Sequence, residues 1–174
     1  MKRISMIFLT VTLFLLLPLT VNARQGRISF LLEGGKAWGA SVEGPFAAAK
    51  MFLPLSGRVA VQAGYIHYFN PTEGEYTPNK RSGFTFGLQF KTRESGRRIQ
   101  WFVHGDFGNF RNSYRWDINE FYHENALGVG TGLEKLLSDR FGLRLNIRGW
   151  ITFNKDSLYG DAWAETSLGL FFRL

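Results

Sequence analysis

The sequence predicts an all-β protein that folds as an eight-stranded antiparallel up-and-down transmembrane β-barrel. The first observation is the alternation of apolar and polar side chains along residues 141–153. Successive side chains of a strand point to opposite faces, so this segment forms a strand with one apolar and one polar face. The same two-residue rhythm recurs about eight times along the chain, and it follows an N-terminal export signal.

Residues 1–23 are predicted to be a cleaved signal peptide, and residues 24–174 a single outer-membrane barrel domain. Lys2 and Arg3 precede a long apolar stretch, which ends at a small-residue cleavage site at Ala23. An uncleaved anchor is the alternative, because the apolar stretch is long for a signal. The small-residue site favours cleavage.

Composition limits the function of the mature chain. Removing Lys2 and Arg3 with the signal lowers the 21 basic residues to 19, against 14 acidic residues, and this excess is spread along the chain. A dispersed excess favours contact with anionic lipid and argues against nucleic acid.

Cysteine is absent, so an exported chain needs a source of stability other than disulfides. No apolar stretch of the mature chain approaches the length of a helical span, so any membrane crossing uses strands.

The eight strand candidates alternate between short and long connections. The candidates are residues 28–37, 46–54, 58–69, 83–93, 98–110, 124–136, 141–153 and 163–174. Short turns are predicted at 55–57, 95–96 and 138–140, and longer connections at 39–45, 70–82, 111–123 and 154–162. Outer-membrane barrels have short periplasmic turns and longer extracellular loops, so both termini belong on the short-turn side.

A soluble barrel of the lipocalin kind would place the apolar face inward, and two observations favour the opposite arrangement. The apolar parity carries large side chains and almost no charge at the strand centres, as a lipid-facing band requires. The polar parity is rich in glycine, which suits a crowded lumen: Gly64, Gly87, Gly108, Gly128, Gly130, Gly132, Gly142 and Gly169.

The chain resembles the small outer-membrane barrels of Gram-negative bacteria, the OmpA-like and OmpX-like group often labelled the porin family. The resemblance rests on the signal, the eight strands, the loop alternation, the segment GVGTGLEKLLSDRFGLRL and the closing strand AETSLGLFFRL. It implies an outer-membrane location, a monomer, and recognition of the last strand by the barrel-assembly machinery. That strand usually ends in an aromatic residue. Here it ends in Leu174, with Phe172 on the same face.

Inward parity predicts a charged lumen. Its proposed charge network comprises Glu33, Lys50, His104, Asp106, Glu134, Arg144, Arg148 and Glu165, accompanied by Gln62, Gln89, Lys91, Gln100 and Arg173. The turns predict three oppositely charged pairs: Glu33 with Lys50, Glu134 with Arg144, and Arg148 with Glu165. The turn at 95–96 also predicts that Lys91 pairs with Gln100. An isolated charge in a lumen that excludes water is costly, so each charge needs a partner.

This network is interpreted as a polar core that fills the barrel, with a narrow passive pore as the alternative. Eight strands leave an interior just wide enough for side chains. The aromatic residues Phe52, Phe102, Trp150 and Phe171 also point inward by parity. A second aromatic group is predicted to form membrane-interface belts: Tyr65, Phe107, Phe153 and Trp163 on the long-loop side, and Trp101 on the short-turn side.

The sequence favours a non-enzyme without a metal or cofactor. His67, His104 and His123 are too scattered for a metal site. Lipid A remodelling is the enzyme alternative, because small barrels of this membrane include lipid A deacylases. Their motif has a histidine two residues before a catalytic serine, but here Asn125 follows His123 at that spacing.

The connection at 111–123 is the best candidate for contact outside the cell. Its arginines could meet lipopolysaccharide phosphates, and its aromatic side chains could meet an unidentified extracellular ligand. The candidate contact residues are Arg111, Tyr114, Arg115, Trp116, Phe121 and Tyr122. Alternatively, the fifth and sixth strands extend beyond the membrane and these residues cover their hairpin. We therefore expect a structural or surface-interaction role at the outer membrane.

Overall fold

The fold is a closed barrel of eight strands. The computed structural model describes residues 27–39, 42–69, 78–92, 98–114, 121–153 and 161–174. The strands are β1 (Ser29–Gly39), β2 (Gly44–Pro54), β3 (Val59–Tyr68), β4 (Pro78–Lys91), β5 (Ile99–Tyr114), β6 (Phe121–Leu136), β7 (Phe141–Phe153) and β8 (Ala162–Arg173). Each strand is antiparallel to the next, and β8 pairs with β1. The predicted eight-stranded antiparallel barrel is therefore confirmed.

Two further sequence predictions concern the N-terminal signal peptide and membrane-spanning helices. The signal peptide at residues 1–23 and its boundary at residue 24 lie outside the described residues. Among the described residues, no helix is long and apolar enough to cross a membrane.

Three strands extend by three or more residues beyond their predicted long-loop ends. β4 begins at Pro78, β5 ends at Tyr114 and β6 begins at Phe121. Their backbone ladders continue past the apolar part of the barrel, with Ser82 opposite Arg111. By sequence alone, the polar residues of these segments favour loops. The backbone nevertheless forms strands, because the hydrogen bonds between strands do not depend on apolar side chains.

The three predicted charge pairs are confirmed, with Glu33 and Lys50 as diagonal neighbours that form an ion pair. Glu134 lies opposite Arg144, and Arg148 lies opposite Glu165. The predicted pairing of Lys91 with Gln100 is wrong, because Lys91 lies opposite Phe102. β4 ends at Lys91 and β5 begins at Ile99, so the connection is longer than a two-residue turn and the register shifts by two.

The barrel has a polar interior and an apolar exterior. Phe84 is 62% exposed and Val129 is 73% exposed, whereas Gln89 is fully buried and Arg144 and Arg148 are each 1% exposed. This is the reverse of the soluble lipocalin-like arrangement, which needs its polar face in water. It is the side-chain distribution of a transmembrane barrel.

Two clusters of buried apolar residues fill the barrel near its ends. The long-loop cluster includes Phe46, Tyr68, Phe110, Trp150 and Trp163. Leu31, Phe52, Ala60 and Phe171 form the short-turn cluster.

The prediction that Trp163 belongs to an interface belt is wrong. It is 3% exposed and stacks on Trp150 inside the barrel. The other four belt candidates, Tyr65, Trp101, Phe107 and Phe153, are exposed on the outer surface.

Inward-facing glycines provide space for the larger side chains of neighbouring strands. A Cβ added to Gly128 would lie 2.7 Å from Cε3 of Trp150, and one added to Gly130 would lie 2.8 Å from the carbonyl oxygen of Ile147. Gly149, on the outward parity, has no atom within 4 Å of an added Cβ. The inner glycines therefore make the interior close-packed.

Candidate functional site in the barrel lumen

The first group of lumen charges is centred on Arg144 of β7. Its Nη1 donates to Oε1 of Glu134 at 2.8 Å and to Oε1 of Gln89 at 2.7 Å. The same guanidinium lies 3.7 Å from the ring centre of Phe102 and 4.9 Å from that of Phe52. Aromatic faces attract cations, so Arg144 is held both by a carboxylate and by two rings.

Glu134 of β6 has a second cationic partner. Lys91 of β4 donates from Nζ to Oε2 of Glu134 at 2.7 Å, while Arg144 contacts Oε1. One buried carboxylate therefore accepts hydrogen bonds from two cations on different strands. This arrangement links β4, β6 and β7 across the lumen.

A second group joins Arg148 of β7 to two carboxylates. Nε of Arg148 donates to Oε2 of Glu165 at 2.9 Å, and Nη2 contacts the same carboxylate. Nη1 lies 3.5 Å from Oδ2 of Asp106. Glu165 also accepts hydrogen bonds from the Tyr68 hydroxyl and from Nε1 of Trp163, the latter at 2.9 Å. The charged groups are thus hydrogen-bonded as well as paired, which a buried ion pair requires.

His104 of β5 lies within this second group. Its Nδ1 is 2.7 Å from Oδ2 of Asp106, and its Nε2 is 2.9 Å from Oδ1 of Asn146. Because a carboxylate only accepts hydrogen bonds, Nδ1 carries a hydrogen in this contact. Gln62 donates from Nε2 to Asp106 and completes the group. The His104 ring is thus held among the side chains of Asp106, Asn146 and Gln62.

The third group is the ion pair of Lys50 and Glu33. Nζ of Lys50 lies 2.6 Å from Oε1 of Glu33, and both side chains are 1% exposed. The residues are diagonal neighbours, since Glu33 lies opposite Ala48. Ser167 of β8 donates from Oγ to Oε2 of Glu33 at 3.0 Å. This group therefore crosses the seam at which β8 and β1 close the barrel.

The charges of these three groups are balanced. The cations of these three groups are Lys50, Lys91, Arg144 and Arg148, and the carboxylates are Glu33, Asp106, Glu134 and Glu165. All eight residues of the predicted network are inside the barrel, and the structure brings them together as these groups. Each cation has a carboxylate partner, so the interior is a paired polar core.

Sequence reasoning missed Arg81 of β4, because it placed residues 70–82 in a loop. Arg81 is 1% exposed, and its Nη2 donates to Oε2 of Glu124 at 2.8 Å. Its guanidinium lies 4.1 Å from the ring centre of Trp163. Arg81 shares its parity with Thr85 and Gln89, so a longer β4 would have revealed it. Together with the long-loop aromatic cluster, it fills that end of the lumen.

The predicted extracellular contact residues have different placements. Arg111 is exposed near the end of β5. Only the backbone of Tyr114, Phe121 and Tyr122 is described; Tyr114 is the last residue of β5, and the other two open β6. Arg115 and Trp116 lie outside the described residues. The described ends of this segment are strand, as the extended-hairpin alternative requires.

No metal site is found among the described residues, where no three histidine, aspartate or glutamate side chains are grouped to hold an ion. His123 is exposed, and Asn125 accepts a hydrogen bond from Nδ2 of Asn109 at 2.8 Å.

Comparison with known proteins establishes the fold. No family model and no curated relative matches the sequence. The structure is similar to Neisserial surface protein A (NspA), with 14% identity and a TM-score of 0.67 over 84% of this chain and 96% of that chain. The N-terminal β-barrel domain of OprF from Pseudomonas aeruginosa is 15% identical, with a TM-score of 0.59 over 86% of this chain and 100% of that domain.

A third similar structure is the outer membrane enzyme PagL, which is 15% identical, with a TM-score of 0.53 over 84% of this chain and 99% of that chain. At these identities, the comparisons show a shared fold alone. The chain has the fold of small eight-stranded outer-membrane β-barrels. Because this fold includes surface proteins and an enzyme, it does not by itself define a role.

Proposed function

We propose that the chain is an integral outer-membrane protein with a largely closed polar lumen and a structural or surface-interaction role, without catalysis and without a cofactor. The observation that carries this proposal is the contrast between the barrel faces. The exterior is an apolar band, and the interior is filled by paired charges and aromatic rings. The apolar exterior is suited to contact with lipid, and the filled interior is typical of a closed barrel.

The filled interior favours a structural role over a narrow passive pore. Arg144 lies between two aromatic rings in one part of the lumen, and Trp150 stacks on Trp163 in another, with ring centres 5.8 Å apart. A continuous water path would require these side chains to move apart and buried ion pairs to separate. Breaking such pairs is costly, which supports a closed resting state.

The exterior supports contact with outer-membrane lipid. Exposed aromatic residues lie near both ends of the apolar band, as shown by Tyr65 and Trp101. Trp and Tyr collect at membrane interfaces, where part of the ring is apolar and a polar group stays hydrated. We further propose that Arg111, exposed at the long-loop end, contacts lipopolysaccharide phosphates, and that the final strand engages the barrel-assembly machinery.

The non-enzymatic part of the proposal rests on side-chain chemistry. The described contacts of His104 are with Asp106, Asn146 and Gln62, none of which is a nucleophile of a serine or cysteine enzyme. Asn125 stands where the lipid A deacylase motif needs serine. A deletion strain should therefore keep its lipid A mass spectrum. A mass change that wild-type protein reverses and His123→Ala fails to reverse would contradict this part.

Gel mobility of the protein in isolated outer membranes, with and without boiling in detergent, tests the location and the closed fold together. We expect the unheated protein to run as a folded species and the boiled protein to run as the unfolded chain, because a closed barrel resists detergent. The soluble periplasmic fraction of the same cells is the control. Recovery of the protein in that fraction would contradict the proposed function.

A further inference from the structure

The short-turn end of the lumen is surrounded by cations. Six basic residues lie at the strand ends or in the turns of this side, on the inward parity of β1, β3, β4, β5, β7 and β8: Arg27, Arg58, Lys91, Arg98, Arg140 and Arg173. We call this set the cationic mouth. Glu134 of β6 is the acidic residue of the same parity at this end.

The cationic mouth encloses a cavity. Arg27, Arg58, Lys91 and Arg173 line a space of about 40 Å³, together with Glu134 and other residues. A single water occupies about 10–15 Å³ on this measure, so the cavity has room for about three waters. That is also the scale of one phosphate group with its oxygens.

The cations of this cavity are poorly compensated. Lys91 pairs with Glu134, but that carboxylate is shared with Arg144. In the part of the chain that the structure describes, no carboxylate lies within salt-bridge distance of Arg27, Arg58 or Arg173. Several positive charges therefore converge on one small space.

The backbone places like charges beside each other at this end. The amide of Lys91 donates to the carbonyl oxygen of Arg58 at 2.7 Å, and the amide of Arg173 donates to that of Arg140 at 2.8 Å. Like charges at neighbouring cross-strand positions are destabilising. A bound anion would relieve this repulsion, and arginine is suited to bind one because its planar fork matches phosphate oxygens.

Cations at the opposite end of the barrel are arranged differently. Arg81 contacts the carboxylates of Glu124 and Asp161, and Lys36 lies 3.8 Å from Glu43. The clustering of Arg27, Arg58 and Arg173 without salt-bridge partners is thus a local feature of the short-turn end and not the result of the chain's overall positive charge.

We propose that the cationic mouth binds a phosphate group, presented either by a free phosphate anion or by the headgroup of an anionic phospholipid. The guanidinium groups of Arg27, Arg58 and Arg173 hold the phosphate oxygens, and Lys91 adds an ammonium donor. This phosphate site goes beyond the proposed outer-membrane role, because it follows from the geometry of the barrel and not from the membrane in which the barrel lies.

Isothermal titration of the full-length folded protein in dodecyl maltoside tests the proposal in two arms. One arm titrates inorganic phosphate, and the other titrates a short-chain phosphatidylglycerol against the matching phosphatidylcholine, all at constant ionic strength in chloride. Binding in the first arm identifies a free-anion site, and binding in the second arm alone identifies a headgroup site. Either result supports the proposal, and binding in neither arm overturns it.

A matched pair of double variants locates the site. Arg58→Gln with Arg173→Gln should weaken binding about tenfold or more, since it removes two guanidinium donors. Lys36→Gln with Lys135→Gln makes the same charge change outside the cationic mouth, because Lys36 lies at the other end of the barrel and Lys135 is exposed on the outward parity of β6. This control should leave binding unchanged. Equal weakening by both variants would overturn the proposal, because it would show a bulk charge effect.

Folding is checked in each sample by heat-dependent gel mobility. If the mouth double variant does not fold, Arg58→Gln alone replaces it, because Arg58 is exposed in the turn between β2 and β3. The single variant should weaken binding about threefold, and unchanged binding would count against the site. A folded barrel that binds no phosphate contradicts this inference alone, whereas a protein absent from outer membranes contradicts the proposed function alone.

Discussion

Positive charges are paired with carboxylates in the lumen, whereas they cluster with one another at the short-turn mouth. Inside the barrel, Arg144 and Arg148 each contact a carboxylate and are each 1% exposed. At the mouth, Arg58 and Arg140 are exposed, and each lies beside another cation. This difference in pairing follows from the different exposure of the two regions to water. A buried charge must be paired because desolvation is costly, whereas water screens charges at the mouth and lets like charges cluster.

This comparison shows which charges hold the fold and which are available to a ligand. Removing a lumen partner leaves an uncompensated buried charge, so the effect on stability should be large. Removing Arg58 or Arg173 leaves no carboxylate without its partner, so the effect on stability should be small and the effect on anion binding large.

The largest effect is expected from Arg148→Met. It leaves the carboxylates of Glu165 and Asp106 without their guanidinium partner, and breaking a buried pair costs about 3–5 kcal/mol. Urea unfolding in phosphatidylcholine vesicles, followed by tryptophan fluorescence, measures the loss. Adding Glu165→Gln should recover part of it, because one of the two unpaired charges is removed. A loss below about 1 kcal/mol would show that the pair contributes little to the fold.

Glycine substitutions compare the packed interior with the exterior. Gly130→Ala places a methyl group against the His104 ring and the backbone of Ile147, so unfolding free energy should fall by about 1–3 kcal/mol. Gly149→Ala, on the next strand and in open space, is the matched control and should change stability by about 0.5 kcal/mol or less. Equal losses in the same urea assay would mean that the interior is not close-packed.

Neutralising a mouth cation should stabilise the barrel slightly. Arg140→Gln removes the repulsion with Arg173 on the neighbouring strand, a gain of a few tenths of a kcal/mol in phosphate-free buffer. Phosphate should raise the unfolding midpoint of the wild type more than that of the variant. The bound anion relieves a repulsion in the wild type that the variant no longer has. A variant that is less stable without phosphate would contradict the like-charge account.

The long-loop end supplies a test by pH. Burial raises the pKa of the Asp161 carboxyl; Arg81 opposes the shift, and Glu124 adds to it. The folded state therefore holds this proton more tightly than the unfolded chain does. The contribution to stability is greatest at low pH and falls as pH rises from the unfolded pKa to the raised folded pKa. Asp161→Asn should flatten this part of the stability profile, and an unchanged profile would exclude the Asp161 carboxyl as its cause.

The sequence predicted the barrel because its strongest signal, the two-residue alternation, depends on the chain alone. The register of β7 followed from the short turn before it, which places Glu134 opposite Arg144. Alternation cannot show where a ladder ends, so β4 to β6 were predicted too short and Arg81 was missed. Proximity to a strand end predicts a belt position for Trp163, but this residue shares its parity with Glu165 and lies inside the barrel.

Other parts of the site depend on spatial arrangements that sequence spacing does not contain. Glu134 of β6 accepts a hydrogen bond from Lys91 of β4, across the intervening strand β5. The cationic mouth gathers residues at the ends of six strands, and these residues come together only when the barrel is closed. Sequence parity could identify its members, but only the structure shows that Arg27, Arg58, Lys91 and Arg173 line one cavity.

Single-channel recording most directly tests the central claim that a paired, filled lumen keeps the barrel closed. The folded protein, verified by heat-dependent gel mobility, is inserted into planar bilayers and recorded over a range of voltages, with Arg148→Ala as the comparison variant. We predict that the wild type shows no discrete conductance steps despite demonstrable insertion. Discrete wild-type steps whose size changes in Arg148→Ala would contradict the account and establish the lumen as a pore.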